Sequence, residues 1–238
     1  MNILMVLTSH SQLDDTGEKT GLWLEEFTTP YYVFRDAGAS VALASPEGGE
    51  PPIDPKSQRA ENEGSSVRRF RRDPVAQAEF VNTRKLDGVA AAEFDAVFYP
   101  GGHGPMWDLP ENTASIGLIE NFVGAEKPVA AVCHGPAALV NVRGKDGDYL
   151  VKGKRVTGFT DAEEEAVGLA SDVPFLLEDR LKERGAIFRE EADWASHVEV
   201  DGKLVTGQNP ASAGPAAEAL LKLLGGGWGP GAPVQPMT

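Results

Sequence analysis

The chain of 238 residues contains a single cysteine, Cys133. No intramolecular disulfide can form, and a reducing compartment, the cytoplasm, is the expected location. Positive charge is scarce: 22 Lys and Arg stand against 36 Asp and Glu, a formal net charge of −14. A field of that sign repels phosphate backbones and anionic lipid, which excludes nucleic acid and membranes as default partners. Long hydrophobic runs are absent as well. The opening apolar stretch, residues 2–8, has no basic leader and is too short for a signal core or a membrane span. With 41% hydrophobic, 8% aromatic and 24% charged residues, the usage is that of a globular protein, neither disordered nor fibrous. A chain of this length buries roughly 70–75% of its unfolded surface and needs no covalent staple to hold a core.

What is present alternates. Residues 2–8, 40–44, 95–99 and 128–132 are short apolar runs that read as buried parallel strands. A helix is predicted over about 21–37, with Leu22, Phe27, Tyr31 and Phe34 inward and a kink or break at Pro30. Further helices are predicted over 114–124 and near 136–142, 161–169, 173–184 and 211–224, and residues 75–86 have helical character. Small strands are expected near 155–158, 187–189, 197–200 and 203–206. This alternation predicts an α/β fold, a mostly parallel sheet sandwiched by helices. Residues 46–75 are rich in Pro, Gly and charge and poor in large apolar side chains. They read as a polar insertion or lid within one domain of residues 1–224, and the Gly/Pro-rich residues 225–238 read as a loose tail.

Cys133 falls where the strand over 128–132 meets a helix starting near Pro136. Ligands collect at the carboxyl ends of strands in such sheets, and a strand-to-helix turn exposes its apex side chain, as in a nucleophile elbow. The helix N-terminus favours a thiolate, so an exposed, low-pKa sulfur open to peroxide is expected. The bland alternative is a small core residue. The flanking His134 and Gly135 favour chemistry, because imidazole is the commonest general base and glycine permits close backbone approach. The third strand ends in Pro100-Gly-Gly-His-Gly104, whose backbone N–H groups could join that of His134 around an oxyanion. His103 is expected to line the pocket or to stabilise its turn, and Trp23 and Trp107 to wall the pocket or simply to pack. The arginines of Arg68-Arg-Phe-Arg-Arg72 read as solvated and paired with local acids. Glu163-Glu-Glu165 reads as a solvated helix start, apart from the one residue that faces the site.

Ala130-Ala-Val-Cys-His-Gly-Pro136, with Tyr99-Pro-Gly-Gly-His-Gly104 upstream and Gly158-Phe-Thr-Asp161 downstream, resembles the ThiJ/PfpI superfamily. That superfamily has the flavodoxin-like, class I glutamine amidotransferase-like fold. Thr8-Ser9, Lys19-Thr-Gly-Leu-Trp-Leu-Glu-Glu26 with Pro30, and Leu204-Val-Thr-Gly-Gln-Asn-Pro-Ala-Ser212 resemble its glutathione-independent glyoxalase branch (glyoxalase III), also described as a heat-shock chaperone or deglycase group. The motifs run in order over about residues 2–222.

The resemblance implies roles residue by residue. Cys133 is the nucleophile and His134 the adjacent catalytic histidine. Glu164 is the third member of the triad, with Glu163 and Glu165 as alternatives. An acidic residue on the first helix hydrogen-bonds the sulfur; it falls on Glu26, or on Glu25 if the register slips by one. A helix points these two about 100° apart, so only one can face the sulfur. Gly102 and the backbone of His134 match the oxyanion-hole positions. The implied activity converts methylglyoxal or glyoxal, small α-oxoaldehydes, to the hydroxy acid through a thiohemiacetal on Cys133. That makes a D-lactate-forming hydro-lyase with no metal or organic cofactor, in a superfamily that often forms homodimers. The alternatives are a holdase chaperone, whose sign would be a large exposed apolar patch, and a deglycase or hydrolase using the same site. Glutamine hydrolysis is disfavoured. It needs a His-x-Glu pair after a late strand; His197-Val-Glu199 has the letters, but the turn after Gly207 holds Gln208-Asn209-Pro210, with no imidazole.

Overall fold

The computed structural model describes residues 1–13 and 17–225, so nearly all of the expected tail lies outside the described residues. Along the chain run β1 (Asn2–Val6), α1 (Leu24–Asp36), β2 (Ser40–Ser45), α2 (Ser65–Phe70), α3 (Pro74–Phe80), β3 (Arg84–Lys85), β4 (Ala96–Tyr99), α4 (Pro105–Asp108) and α5 (Thr113–Gly124). Then come β5 (Val129–Val132), β6 (Arg155–Val156), α6 (Asp161–Val167), α7 (Leu177–Glu183), β7 (Ile187–Phe188), β8 (Val198–Asp201), β9 (Leu204–Gly207) and α8 (Ala213–Leu223). Seven strands form one sheet in the order β3-β2-β1-β4-β5-β9-β8, and β6 pairs with β7 apart from it. Every neighbouring pair of the large sheet is parallel except β8 with β9. This is the predicted α/β architecture. The direction of winding reverses between β1 and β4, and in such sheets that switch point is where ligands bind.

The strands follow their composition. β4 and β5 are buried at every position, as parallel strands covered on both faces must be. Helix α1 buries Leu24, Phe27, Tyr31 and Phe34. The Phe27 ring meets Phe70 of α2 edge-on and Phe80 of α3 at a tilt, 5.7 and 5.1 Å between centroids, so one aromatic cluster fastens three helices. Pro30 does not break α1, which continues through it to Asp36. Its missing N–H removes the bond that the Glu26 carbonyl would accept.

The polar stretch 46–75 is tied down at several points. Leu22 bridges to Ile53, and Thr20 Oγ1 donates to Asp54 at 3.1 Å. Two of its arginines find local acids: Arg69 grips Asp36 through two bonds of 2.6 and 2.8 Å, and Arg71 pairs with Glu63. The helix expected at 75–86 ends at Phe80, and the one expected after Cys133 is a short 3₁₀ turn, Gly135–Leu139. No helix among the described residues is long and apolar enough to cross a membrane.

Candidate active site

Strand β5 delivers Cys133 to the carboxyl edge of the sheet. Its φ is 59°, a left-handed conformation that costs a residue other than glycine about 1–3 kcal/mol. Tertiary contacts impose it. Cys133 N–H donates to Gly207 O at 2.9 Å, and Phe159 N–H donates to Cys133 O at 2.9 Å. Two residues on, a Cβ at Gly135 would fall 2.3 Å from Tyr99 O, so only glycine lets the turn press against β4. The elbow is real, and its neighbour is the other glycine turn, as β4 lies beside β5. Gly102, at φ 88°, passes so close to residues 21–23 that a Cβ would sit 2.3 Å from both Gly21 O and Trp23 N. Its backbone N–H donates to the sulfur.

Two sides of the sulfur are occupied, one by a carboxyl and the other by an imidazole. On one side stands Glu26, fully buried, whose Oε2 accepts from Gly101 N–H at 2.9 Å. Its Oε1 has no nitrogen or oxygen partner, and the carboxyl hydrogen-bonds Cys133. Glu25 points elsewhere, toward Gly64 and the cavity rim, so the carboxyl that faces the sulfur is that of Glu26. On the other side, His134 Nδ1 lies 3.3 Å from Sγ, and its Nε2 lies 2.6 Å from Glu164 Oε2. His103 Nε2 lies 2.7 Å from the second oxygen of the same carboxylate, and the two imidazoles lie with centroids 4.1 Å apart, tilted by 40°.

The glutamate run differs from expectation. Only Glu165 is exposed; Glu163 and Glu164 are buried and face different partners. Thr160 caps α6 and, with Glu163 at the third position, forms a reciprocal capping box. The other carboxyl oxygen of Glu163 accepts from Trp194 N–H at 2.8 Å, Asn209 Nδ2 at 2.9 Å and Gln208 Nε2 at 3.2 Å. Asn209 and Trp194 line the cavity. Sequence reasoning missed Trp194 altogether, and Gln208 and Asn209 entered as part of the Leu204–Ser212 motif and as an absence of imidazole, not as partners of Glu163. Trp107 stacks on His10 at 5.1 Å and is not among the cavity's lining residues, whereas Trp23 is. His197 and Glu199 do pair, at 3.4 Å, but neither lines this cavity.

The electrostatics correct one expectation outright. Cys133 is only 3% exposed, so the sulfur is not an open thiolate. Burial pushes the thiol up, and a charge on Glu26 adds to this. The five-residue 3₁₀ turn is too short to supply the dipole that was expected to lower it. Burial likewise lifts Glu26, to about 8, so this carboxyl holds a proton at neutral pH and can donate it to a thiolate. Burial and the neighbouring His103 hold His134 below its ordinary value, so it is a neutral acceptor. For Glu164, burial is outweighed by His134 and by the hydrogen bonds of both histidines, and the carboxyl stays ionised. The cavity before these groups measures about 370 Å³ and is walled by Trp23, Phe159 and Trp194. His103, His134 and Glu164 also place ligand-type atoms within 4.8 Å of one another, but both Nε2 atoms are committed to the carboxylate as hydrogen bonds.

A parallel α/β sheet with a cysteine at the apex of its elbow, flanked by an imidazole–carboxylate pair, defines the class. Residues 20–223 match the DJ-1/PfpI family, and the chain belongs to it. Glutathione-independent glyoxalase hsp3101 of Schizosaccharomyces pombe is 32% identical over 235 residues, 93% of this chain and 95% of that protein. The solved structure of Rapid Encystment Protein 24 kDa from Francisella tularensis matches with a TM-score of 0.90 at 41% identity, covering 94% of this chain and 98% of that one. Glyoxalase III from Candida albicans matches with a TM-score of 0.86 at 28% identity, covering 94% and 97%.

Proposed function

We propose that this protein is a glutathione-independent glyoxalase that converts α-oxoaldehydes such as methylglyoxal to 2-hydroxy acids. The observation that carries the reading is the surround of Cys133: a neutral imidazole nitrogen 3.3 Å from the sulfur and a protonated carboxyl opposite it. His134 Nδ1 takes the thiol proton as the sulfur adds to the aldehyde carbon. Glu164, ionised and 2.6 Å from Nε2, orients the ring and stabilises the imidazolium. Glu26 donates to the sulfur; in this reading the Gly102 amide, which donates to the resting sulfur, turns with the His134 amide to the developing oxyanion. The C1 hydrogen then moves to C2, and water releases the acid from the thioester. This assigns the enzyme to the hydro-lyases, with D-lactate the product from methylglyoxal. A protein relying on one thiol suits a reducing cytoplasm. The test is methylglyoxal consumption by the purified protein without any added thiol, with the product identified by NMR and chiral chromatography. A folded protein that leaves methylglyoxal untouched overturns the reading.

The Glu26 proton sets a pH dependence. Its carboxyl is raised to about 8, so kcat/KM is expected to fall as pH rises through that value. Above it Glu26 has no proton to give the sulfur and instead accepts from the thiol, whose proton is then harder to remove. Glu26→Gln cannot ionise, and its pH profile should lack this limb; an unchanged limb would assign the loss to another group. Stability follows the same sign. The folded pKa lies above the unfolded one, so the associated stability is complete below the ordinary carboxyl range and is lost as pH rises through about 8.

A further inference from the structure

Two histidines share one carboxylate. Glu164 accepts from His134 Nε2 at 2.6 Å through one oxygen and from His103 Nε2 at 2.7 Å through the other. Each ring thus has one nitrogen committed and one left. The remaining nitrogen of His134, Nδ1, is 3.3 Å from Cys133 Sγ. The remaining nitrogen of His103 makes no hydrogen bond to any described residue, and His103 lines the same cavity as Cys133. Both histidines line the cavity, His103 at 8% exposure and His134 at 1%.

The proposed reaction requires two different proton transfers. One frees the sulfur and returns a proton to the new oxyanion. The other carries hydrogen from C1 of the thiohemiacetal to C2. His134 has a single available nitrogen, and it faces the sulfur. We propose that His103 is a second catalytic base, which makes the C1-to-C2 transfer; this rests on the glyoxalase reading above. The sequence balances without an external oxidant. Sulfur adds to C1, and His134 hands the thiol proton to the alkoxide. His103 Nδ1 then takes the C1 hydrogen as a proton. The C1–H electrons form the C1=C2 bond, and the C2 carbonyl oxygen becomes an enediolate. The proton on His103 returns to C2, the C1 hydroxyl passes its proton to the C2 oxygen, and C1 becomes a thioester carbonyl beside the C2 hydroxyl. C1 is oxidised and C2 reduced within one molecule. Water then releases the hydroxy acid and restores the thiol. The shared carboxylate suits this alternation. Its single negative charge supports an imidazolium on either ring, and the 4.1 Å between ring centroids disfavours charging both.

The test uses the full chain with methylglyoxal as the probe. In His103→Gln the amide can still donate to Glu164 but cannot carry a proton. Turnover is expected to fall about 10²- to 10⁴-fold. The thiohemiacetal on Cys133, followed by NMR with methylglyoxal carrying carbon-13 at C1, should form as in wild type and accumulate. With deuterium at C1 the variant should show a larger isotope effect on kcat than wild type. In His103→Ala, added imidazoles should restore turnover, more so the more basic the imidazole. A variant within threefold of wild type overturns the proposal. Loss of the adduct together with turnover also overturns it, because His103 would then act only by positioning Glu164. If His103→Gln does not fold, the rescue in His103→Ala decides. Absence of product from wild type would instead defeat the glyoxalase reading, which is seen before any variant is made.

Discussion

Cys133→Ala is expected to lose methylglyoxal turnover about 10⁴- to 10⁶-fold, the scale on which removing a covalent nucleophile acts. Cys133 is the chain's only thiol, so no other residue can form the thiohemiacetal. The fold should survive. Alanine meets the same left-handed backbone at φ 59° with the same Cβ, so the strain is unchanged. The site also loses a sulfur whose ionisation burial opposes. What remains is a void of one atom beside the cavity, worth about 1 kcal/mol by the cost of buried truncations. Glu26 keeps its 2.9 Å bond from Gly101 N–H. The measurement pairs an NMR assay for the hydroxy acid with a thermal melt. Activity within about tenfold of wild type in a folded variant, a difference of only 1.4 kcal/mol in barrier, would move the chemistry off the sulfur.

Much of this site was legible because it depends on local sequence. An apolar four-residue strand followed at once by Cys-His-Gly announces an elbow. The neighbouring glycine turn follows from the same topology, since β4 and β5 are adjacent. What could not be read depends on where a helix starts. Glu25 and Glu26 are equivalent as letters; the choice is made by α1 beginning at Leu24, where Trp23 N–H donates to Gly101 O at 3.2 Å. The glutamate run hid a usable signal. Thr160-Asp-Ala-Glu163 is a capping-box pattern, which places Glu163 on the cap and leaves Glu164 to face the histidines. The ionisation of Cys133 was misjudged because a rule for regular helices was applied to a 3₁₀ turn, and burial decided the outcome. Trp194 gave no local sign. Its φ of 65° and its place on the cavity are set by a bond to Glu163, 31 residues away.

That bond makes Glu163 the residue whose loss should cost the fold most. Glu163→Ala is expected to destabilise the protein by about 3–4 kcal/mol, or roughly 10 °C in melting temperature for a chain of this size. Glu163 is fully buried. Its two oxygens accept from the backbone and hydroxyl of Thr160, the backbone of Trp194, and the amides of Gln208 and Asn209. A buried donor without an acceptor costs about 1–3 kcal/mol, but the full sum does not apply. Gln208 and Asn209 keep bonds to the carbonyls of Glu191 and Ala195, and Trp194, 48% exposed, sits where water can reach it. Glu165→Ala, at an exposed position of the same helix, is the control and should stay within about 0.5 kcal/mol of wild type. Urea unfolding measures both. Activity should separate the roles further. Glu163 touches neither the sulfur nor the histidines, but it holds Trp194 and Asn209 on the cavity wall. Its loss should raise KM more than it lowers kcat. An equal fall in kcat at unchanged KM would mean that the cap of α6, and through it Glu164, had moved. Wild-type stability in Glu163→Ala would mean that the Trp194 loop is held by its own contacts, chiefly that of its ring with Phe159 at 5.8 Å between centroids.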